Sequence, residues 1–227
     1  MPQTTTTVFD GFPEDAPDFF VRLAADNSRD FWQANRATFE STIREPMAAL
    51  VAAIEPSVGP MRLFRMNRDV RFSRDKSPYK TQQGAVGDRP NGGVLYLHLD
   101  ADGLLVASGT HVMARDQLAR FRDMVADDRT GPAFLAVIET LTGGGLTVGG
   151  GIQDPLTGTP RGYAKDHPRI AWLRWKGAVA SRRIDDPQQL ASPNLVDEII
   201  RFRDDSTPVL TLLDRHVGPS QEPRPER

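Results

Sequence analysis

The sequence predicts a single α+β domain with a mostly antiparallel central sheet and N-terminal and C-terminal helices packed on it. Three observations predict it. Apolar residues recur at helical spacing near both ends of the chain, strand-like runs joined by a tight turn occupy the middle, and no repeat or proline-rich linker divides the 227 residues. A chain of that length can fill one sizeable core.

The first helix starts around Pro13, Glu14, Asp15, Pro17 and Asp18, because proline and acids suit a first helical turn. Phe19, Phe20 and Leu23 then share a face. Ser28 caps a second helix that carries Trp32, Phe39 and Ile43, and Pro46 is expected to end or kink it. Met47, Leu50, Val51 and Ile54 follow the i, i+3, i+4, i+7 pattern of a third. Residues 62–67 read as a strand entering a long polar loop. Residues 94–99 (VLYLHL) and 104–108 (LLVAS) flank Asp100-Ala101-Asp102-Gly103, which predicts a hairpin. Two helices follow, one with Leu118, Phe121 and Val125, the other with Phe134, Ile138 and Leu141. The glycine-rich run 143–151 fits neither a P-loop nor a dinucleotide fingerprint and reads as a mobile loop or hairpin. Another helix is expected from Pro168, a strand near 178–184, and a final helix after Ser192-Pro193. Residues 1–8 and 217–227 offer nothing to bury and are expected to be disordered tails around a domain spanning 9–216.

Composition excludes several functions. The absence of cysteine removes disulfides, thiol nucleophiles and thiolate metal sites. No apolar run approaches the roughly 18 residues that cross a bilayer, and the first residues lack the basic start and apolar stretch of a signal peptide. The expected compartment is the cytoplasm, with no membrane partner. The four histidines form no H-x-x-x-H or H-E-x-x-H pair, which argues against a zinc hydrolase and leaves no metal set to name. No G-x-S-x-G elbow is present. His98 alternates with Tyr96 on the expected hairpin and reads as a half-buried sheet histidine.

Charge is the informative signal. The formal net charge is −2, but residues 61–81 hold seven basic residues against Asp69 and Asp75, a local +5. Residues 161–183 hold seven against Asp166 alone, a local +6, so the rest of the chain carries −13. If these stretches meet in space, their charges repel unless an anion or carboxylates compensate them. Two readings stand side by side: a functional anion site and a structural salt-bridge network. In the first, Arg65, Arg68 and Arg71 hold the anion, Lys76 and Lys80 supply mobile charge, Asp69 orients an arginine, and Arg161 and Lys176 add to the site. Tyr79 offers a hydroxyl. His167, between Asp166 and Pro168, is the candidate for proton transfer; its other reading is the start of a helix.

Three blocks of sequence carry a resemblance. They are Phe9-Asp10-Gly11-Phe12-Pro13 with Phe19-Phe20, Leu23, Asn27, Arg29, Asn35, Glu40, Pro46 and Met47; residues 65–81 (RMNRDVRFSRDKSPYKT); and Pro160-Arg161-Gly162-Tyr163 with Asp166-His167-Pro168, Leu173 and Lys176. On these residues the chain resembles the domain-of-unknown-function 2461 family over roughly residues 9–216. The order Phe31-Trp32, Arg36 and Phe39 depart from the family's usual pattern as packing variation does. The resemblance implies no activity and no cofactor. Its most specific blocks fall on the two basic stretches, which favours the functional reading of them.

The expected function is therefore binding of a small phosphate- or carboxylate-bearing ligand in an Arg/Lys-lined cleft, with His167 and Tyr79 as the groups for chemistry on it. The alternatives use the same surface. Arginines interleaved with Phe64, Phe72 and Tyr79 suit a nucleic acid, and Trp172 and Trp175 suit a protein partner or the core.

Overall fold

The computed structural model describes residues 8–71, 75–88 and 93–222. Helices α1 (Ala16–Ala25), α2 (Arg29–Phe39) and α3 (Glu45–Val58) come first. Strands β1 (Arg62–Leu63), β2 (Gln83–Asp88), β3 (Val94–Asp100) and β4 (Gly103–Thr110) follow, then α4 (Arg115–Ala126), α5 (Thr130–Gly143) and β5 (Thr147–Gly149). The chain continues through α6 (Ile170–Leu173), β6 (Ala178–Ile184), α7 (Pro187–Leu190) and α8 (Leu195–His216). The strands form one antiparallel sheet in the order β1-β2-β3-β4-β6-β5, so the fold is α+β.

The helical starts follow local chemistry. Ser28 Oγ accepts the Phe31 N–H at 3.1 Å and caps α2. The helix does not end at Pro46. The chain passes from α2 into α3 through a π-helical turn, Glu40–Arg44, in which the Glu45 N–H bonds to Glu40 O. Proline has no N–H for the carbonyl four residues back and its ring clashes with it; widening the preceding turn relieves that clash. The β3–β4 hairpin closes through Ala101-Asp102 as expected, with the Asp102 N–H on Asp100 Oδ1 at 2.9 Å.

The contacts group into two compact units. Among the described residues, one comprises 8–71, 75–87, Tyr96–Val106 and Arg183–Arg201; the other comprises 88, 93–95, Ala107–Arg182 and 202–222. The core of the first contains Phe12, Phe19, Phe20, Leu23, Phe39, Ile43, Met47, Leu50 and Ile54, all fully buried. Phe19 meets Phe20 edge-on at 5.7 Å and lies tilted against Phe39 at 5.6 Å. The core of the second contains Phe121, Val125, Phe134, Leu173 and Phe202. Trp175 stands edge-on to Phe134 at 6.2 Å. A Cβ at Gly150 would lie 2.8 Å from the Trp175 ring, so one glycine of the 143–151 run is there for close packing, and β5 within that run pairs antiparallel with β6.

Ordered structure extends past the boundary expected at 216. Val217 is buried. Gln117 and Arg120 on α4 donate to the carbonyls of Gly218 and Pro219, each at 2.8 Å, and Asp116 accepts from Ser220 Oγ and the Gln221 N–H, each at 2.8 Å. The Gln221 N–H first, then Ser220 and Arg120, hold the Asp116 carboxyl at about 2, below its ordinary 3.8. A carboxyl whose folded value is depressed stabilises fully above its unfolded value, and that contribution disappears as pH falls through the folded value. The amide resonances of Ser220 and Gln221 should therefore move to random-coil positions as pH drops from 3.8 to about 2, before those of β3 and β4 shift. Simultaneous movement of all of them would show that Asp116 does not anchor the segment.

Candidate functional site

The segment 64–80 folds back on itself. Lys80 N–H bonds to Met66 O and Arg68 N–H to Pro78 O, each at 2.9 Å, around an isolated bridge between Asn67 and Tyr79. The strand expected over 62–67 is thus only Arg62–Leu63. Beyond it the strict alternation of side chains that would send Arg65 and Arg71 one way does not apply, because the backbone leaves the sheet. Asn27 clamps the segment from outside: its side chain donates to Tyr79 O at 3.1 Å and accepts the Tyr79 N–H at 3.0 Å. Trp32 stacks on the Tyr79 ring at 4.5 Å.

Part of the basic charge in this segment is matched locally. Arg71 forks onto Asp69 at 3.0 and 2.7 Å, which holds the Asp69 carboxyl down at about 2. Arg68 pairs with Asp75, which also accepts the Ser77 N–H. Lys76 donates to Val70 O at 2.9 Å. Tyr79 is buried, and its ring serves the aromatic cluster with Trp32. Arg74 and Phe72 lie outside the described residues.

Three cations remain imperfectly balanced. Lys80 Nζ donates to Arg65 O at 2.9 Å and sits 5.1 Å from the centre of the Phe64 ring. Arg62 approaches the same ring at 5.3 Å. Among the described residues, neither Lys80 nor Arg65 has a carboxylate in ion-pair contact. Burial, and then the positive charges of Arg65 and Arg68, pull the Lys80 ammonium below its ordinary value. An uncompensated cluster of this kind is a standing attraction for an anion.

Phe64 links these cations to the sheet. Its ring lies 6.2 Å from Tyr96 on β3. Residues 96, 98 and 100 alternate onto one face of β3, and their side chains are bonded in series. Gln82 Nε2 donates to the Tyr96 hydroxyl at 2.9 Å, that hydroxyl is 3.0 Å from His98 Nδ1, and His98 Nε2 is 2.9 Å from Asp100 Oδ2. Arg183 on β6 donates to both Asp100 oxygens, at 2.7 and 3.3 Å. Burial lowers His98 below the usual imidazole range, against the pull of Asp100. Burial opposes ionisation of Asp100, but Arg183 and the Asp102 N–H still hold it below the usual carboxylate range. Burial, then Asp100, push the Tyr96 phenol up to about 12. Gln82, Asp100 and Arg183 are absent from the sequence-based site. The alternation Tyr-x-His-x-Asp at 96–100 was the signal for Asp100, masked because that residue also reads as the start of a turn.

The second basic stretch lies, up to Arg182, in the second unit and has its own partners there, while Arg183 belongs to the first unit and holds Asp100. Arg169 is buried; its Nε donates to Val125 O at 2.6 Å, and its Nη2 donates to Ala126 O and Asp128, each at 2.7 Å. His167 Nδ1 accepts the Arg169 N–H at 3.0 Å, ahead of α6, which begins at Ile170 rather than at Pro168. Tyr163 donates to Asp123 at 3.1 Å. Arg161 is exposed, and Lys176 contributes its carbonyl to the Met113 N–H. Among the described residues no group of three His, Asp or Glu side chains is placed to hold a metal ion.

A family model described as conserved hypothetical protein (DUF2461) matches residues 15–211. The chain belongs to the DUF2461 family. That match spans the Asn27 clamp, the 64–80 segment, the Tyr96–Asp100 series and the Arg169 hub. No curated protein and no solved structure matches the chain.

Proposed function

We propose that this DUF2461 protein is a cytoplasmic protein that binds a small phosphate- or carboxylate-bearing ligand at Arg65, Arg68 and Lys80. The observation that carries the reading is that Lys80 and Arg65 lie together, Lys80 Nζ on Arg65 O at 2.9 Å, with no carboxylate in ion-pair contact among the described residues. Burial first, and then repulsion from Arg65 and from the Asp75-paired Arg68, lowers the Lys80 ammonium. An anion seated among them would relieve that repulsion. Arginine would grip it with a planar fork and lysine with a point charge. Among the described residues no helix is long and apolar enough to cross a membrane.

A melting series tests the reading. Inorganic phosphate, pyrophosphate and citrate should raise the melting temperature in a saturable way. At a hundredfold excess over Kd the gain is about 2.7 kcal/mol. The Arg65→Ala/Lys80→Ala double variant should melt normally without ligand and lose the rise. A rise of equal size in that variant overturns the site. Binding of generic oligonucleotides with a steep salt dependence would overturn the small-ligand class in favour of nucleic acid.

A further inference from the structure

The side chains of Tyr96, His98, Asp100 and Arg183 admit one arrangement of protons. Asp100 is held ionised by two bonds from Arg183 and one from the Asp102 N–H, so it accepts, and His98 must present Nε2–H to it. Nδ1 is then bare and accepts the Tyr96 O–H. A phenol oxygen has one proton and two lone pairs. Its proton goes to His98 and one lone pair takes the Gln82 N–H. One lone pair is left.

That is the relation of nucleophile, base and orienting acid known from hydrolytic triads, which is recognised by geometry and role rather than by order in the chain. Here a phenol stands in the nucleophile's place. Gly84 on β2 is buried and packs closely here: a Cβ there would lie 3.3 Å from the Tyr96 hydroxyl and 3.0 Å from the Phe64 ring, so only glycine leaves that hydroxyl in its place beside His98.

We propose that Tyr96 is a nucleophile activated by His98, with Asp100 and Arg183 as positioning residues, and that it accepts an acyl, phosphoryl or sulfonyl group from an anionic donor. The Tyr96 oxygen forms the new bond to carbon, phosphorus or sulfur while its proton passes to His98 Nδ1. The leaving group departs with the electron pair of the broken bond and can collect that proton. Water, deprotonated by His98 in turn, then releases the group and restores the phenol. The choice of an anionic donor rests on the reading of Arg65, Arg68 and Lys80 above; the activation of Tyr96 does not.

Aryl sulfonyl fluorides test this directly, because attack by a phenol expels fluoride and leaves a stable sulfonate ester. The full-length protein is treated with 4-(fluorosulfonyl)benzoate and, in parallel, with neutral benzenesulfonyl fluoride, and the adducts are mapped by mass spectrometry. The chain has three tyrosines, so Tyr79 and Tyr163 serve as internal controls and the first comparison needs no variant. Tyr96 should react roughly a hundredfold faster than Tyr163. Tyr96→Phe should remove the adduct, and His98→Asn should slow it by a similar factor with the circular dichroism spectrum retained. Asp100→Asn should slow labelling and shift the His98 imidazole ¹⁵N resonances away from the Nε2–H pattern, a change that loss of packing alone does not produce.

Equal labelling of Tyr96 and Tyr163, or undiminished labelling in His98→Asn, overturns the proposal. The two probes separate it from the anion site. Fast labelling of Tyr96 by both probes at equal rates supports the nucleophile and overturns the anion reading. Saturable, Lys80-dependent competition by the carboxylate probe without Tyr96 labelling supports the anion reading and overturns the nucleophile.

Discussion

Arg169→Ala is expected to lower the unfolding free energy by about 3–5 kcal/mol. The guanidinium is buried and donates to the carbonyls of Val125 and Ala126. These are the last two residues of α4, whose final carbonyls have no partner within the helix. Removing the side chain strands those acceptors where water does not easily replace it. It also empties the space beside Gly131, where a Cβ would lie 2.5 Å from Arg169 Nε. Arg169→Lys should recover less than half of the loss, because one ammonium cannot reproduce a fork that spans two carbonyls and Asp128. Urea unfolding at constant m-value measures both variants. A loss below about 1 kcal/mol for the alanine variant would place Arg169 with ordinary surface charges.

The same residue shows where sequence reasoning stops. Counted as charge, Arg169 joins Arg161 and Lys176 in a basic stretch that suggests a ligand. Its partners are backbone carbonyls more than 40 positions away, and a sequence gives no sign of which carbonyls a fold will leave unpaired. Asp69 and Asp75 were legible as companions of the arginines because the pairs close over two and seven residues. Local signals served well elsewhere: Ser28 before an apolar period gave a capped helix, and Asp100 to Gly103 gave the hairpin. The hairpin reading hid a second role. Asp100 both opens the turn and holds His98, and Arg183, which holds Asp100 in turn, is 83 residues away. Period-two spacing reveals which side chains share a strand face, but not which distant strand supplies the counter-charge.

Asn27→Ala should weaken anion binding without touching a single cation. Asn27 satisfies both backbone groups of Tyr79, and Tyr79 lies opposite Asn67 at the closure of the 64–80 segment. Loss of both bonds leaves a buried N–H and C=O without partners, at a cost of about 2–3 kcal/mol. The stack of Trp32 on Tyr79 would then hold the ring but not the direction of the peptide. Arg65 and Lys80 flank this closure, and Lys80 is tethered to Arg65 O, so their spacing depends on the backbone that Asn27 fixes. Phosphate affinity should fall about tenfold, the equivalent of roughly 1.4 kcal/mol, while labelling of Tyr96 by the neutral sulfonyl fluoride stays within about twofold of wild type, since strand β3 supports that side chain independently. Asn27→Asp separates the two bonds: it keeps the acceptor for the Tyr79 N–H but sets a carboxylate against the Tyr79 carbonyl, and should bind phosphate no better than the alanine variant. Unchanged phosphate affinity in both variants would mean that the cations are positioned by their own contacts, and that the clamp serves stability alone.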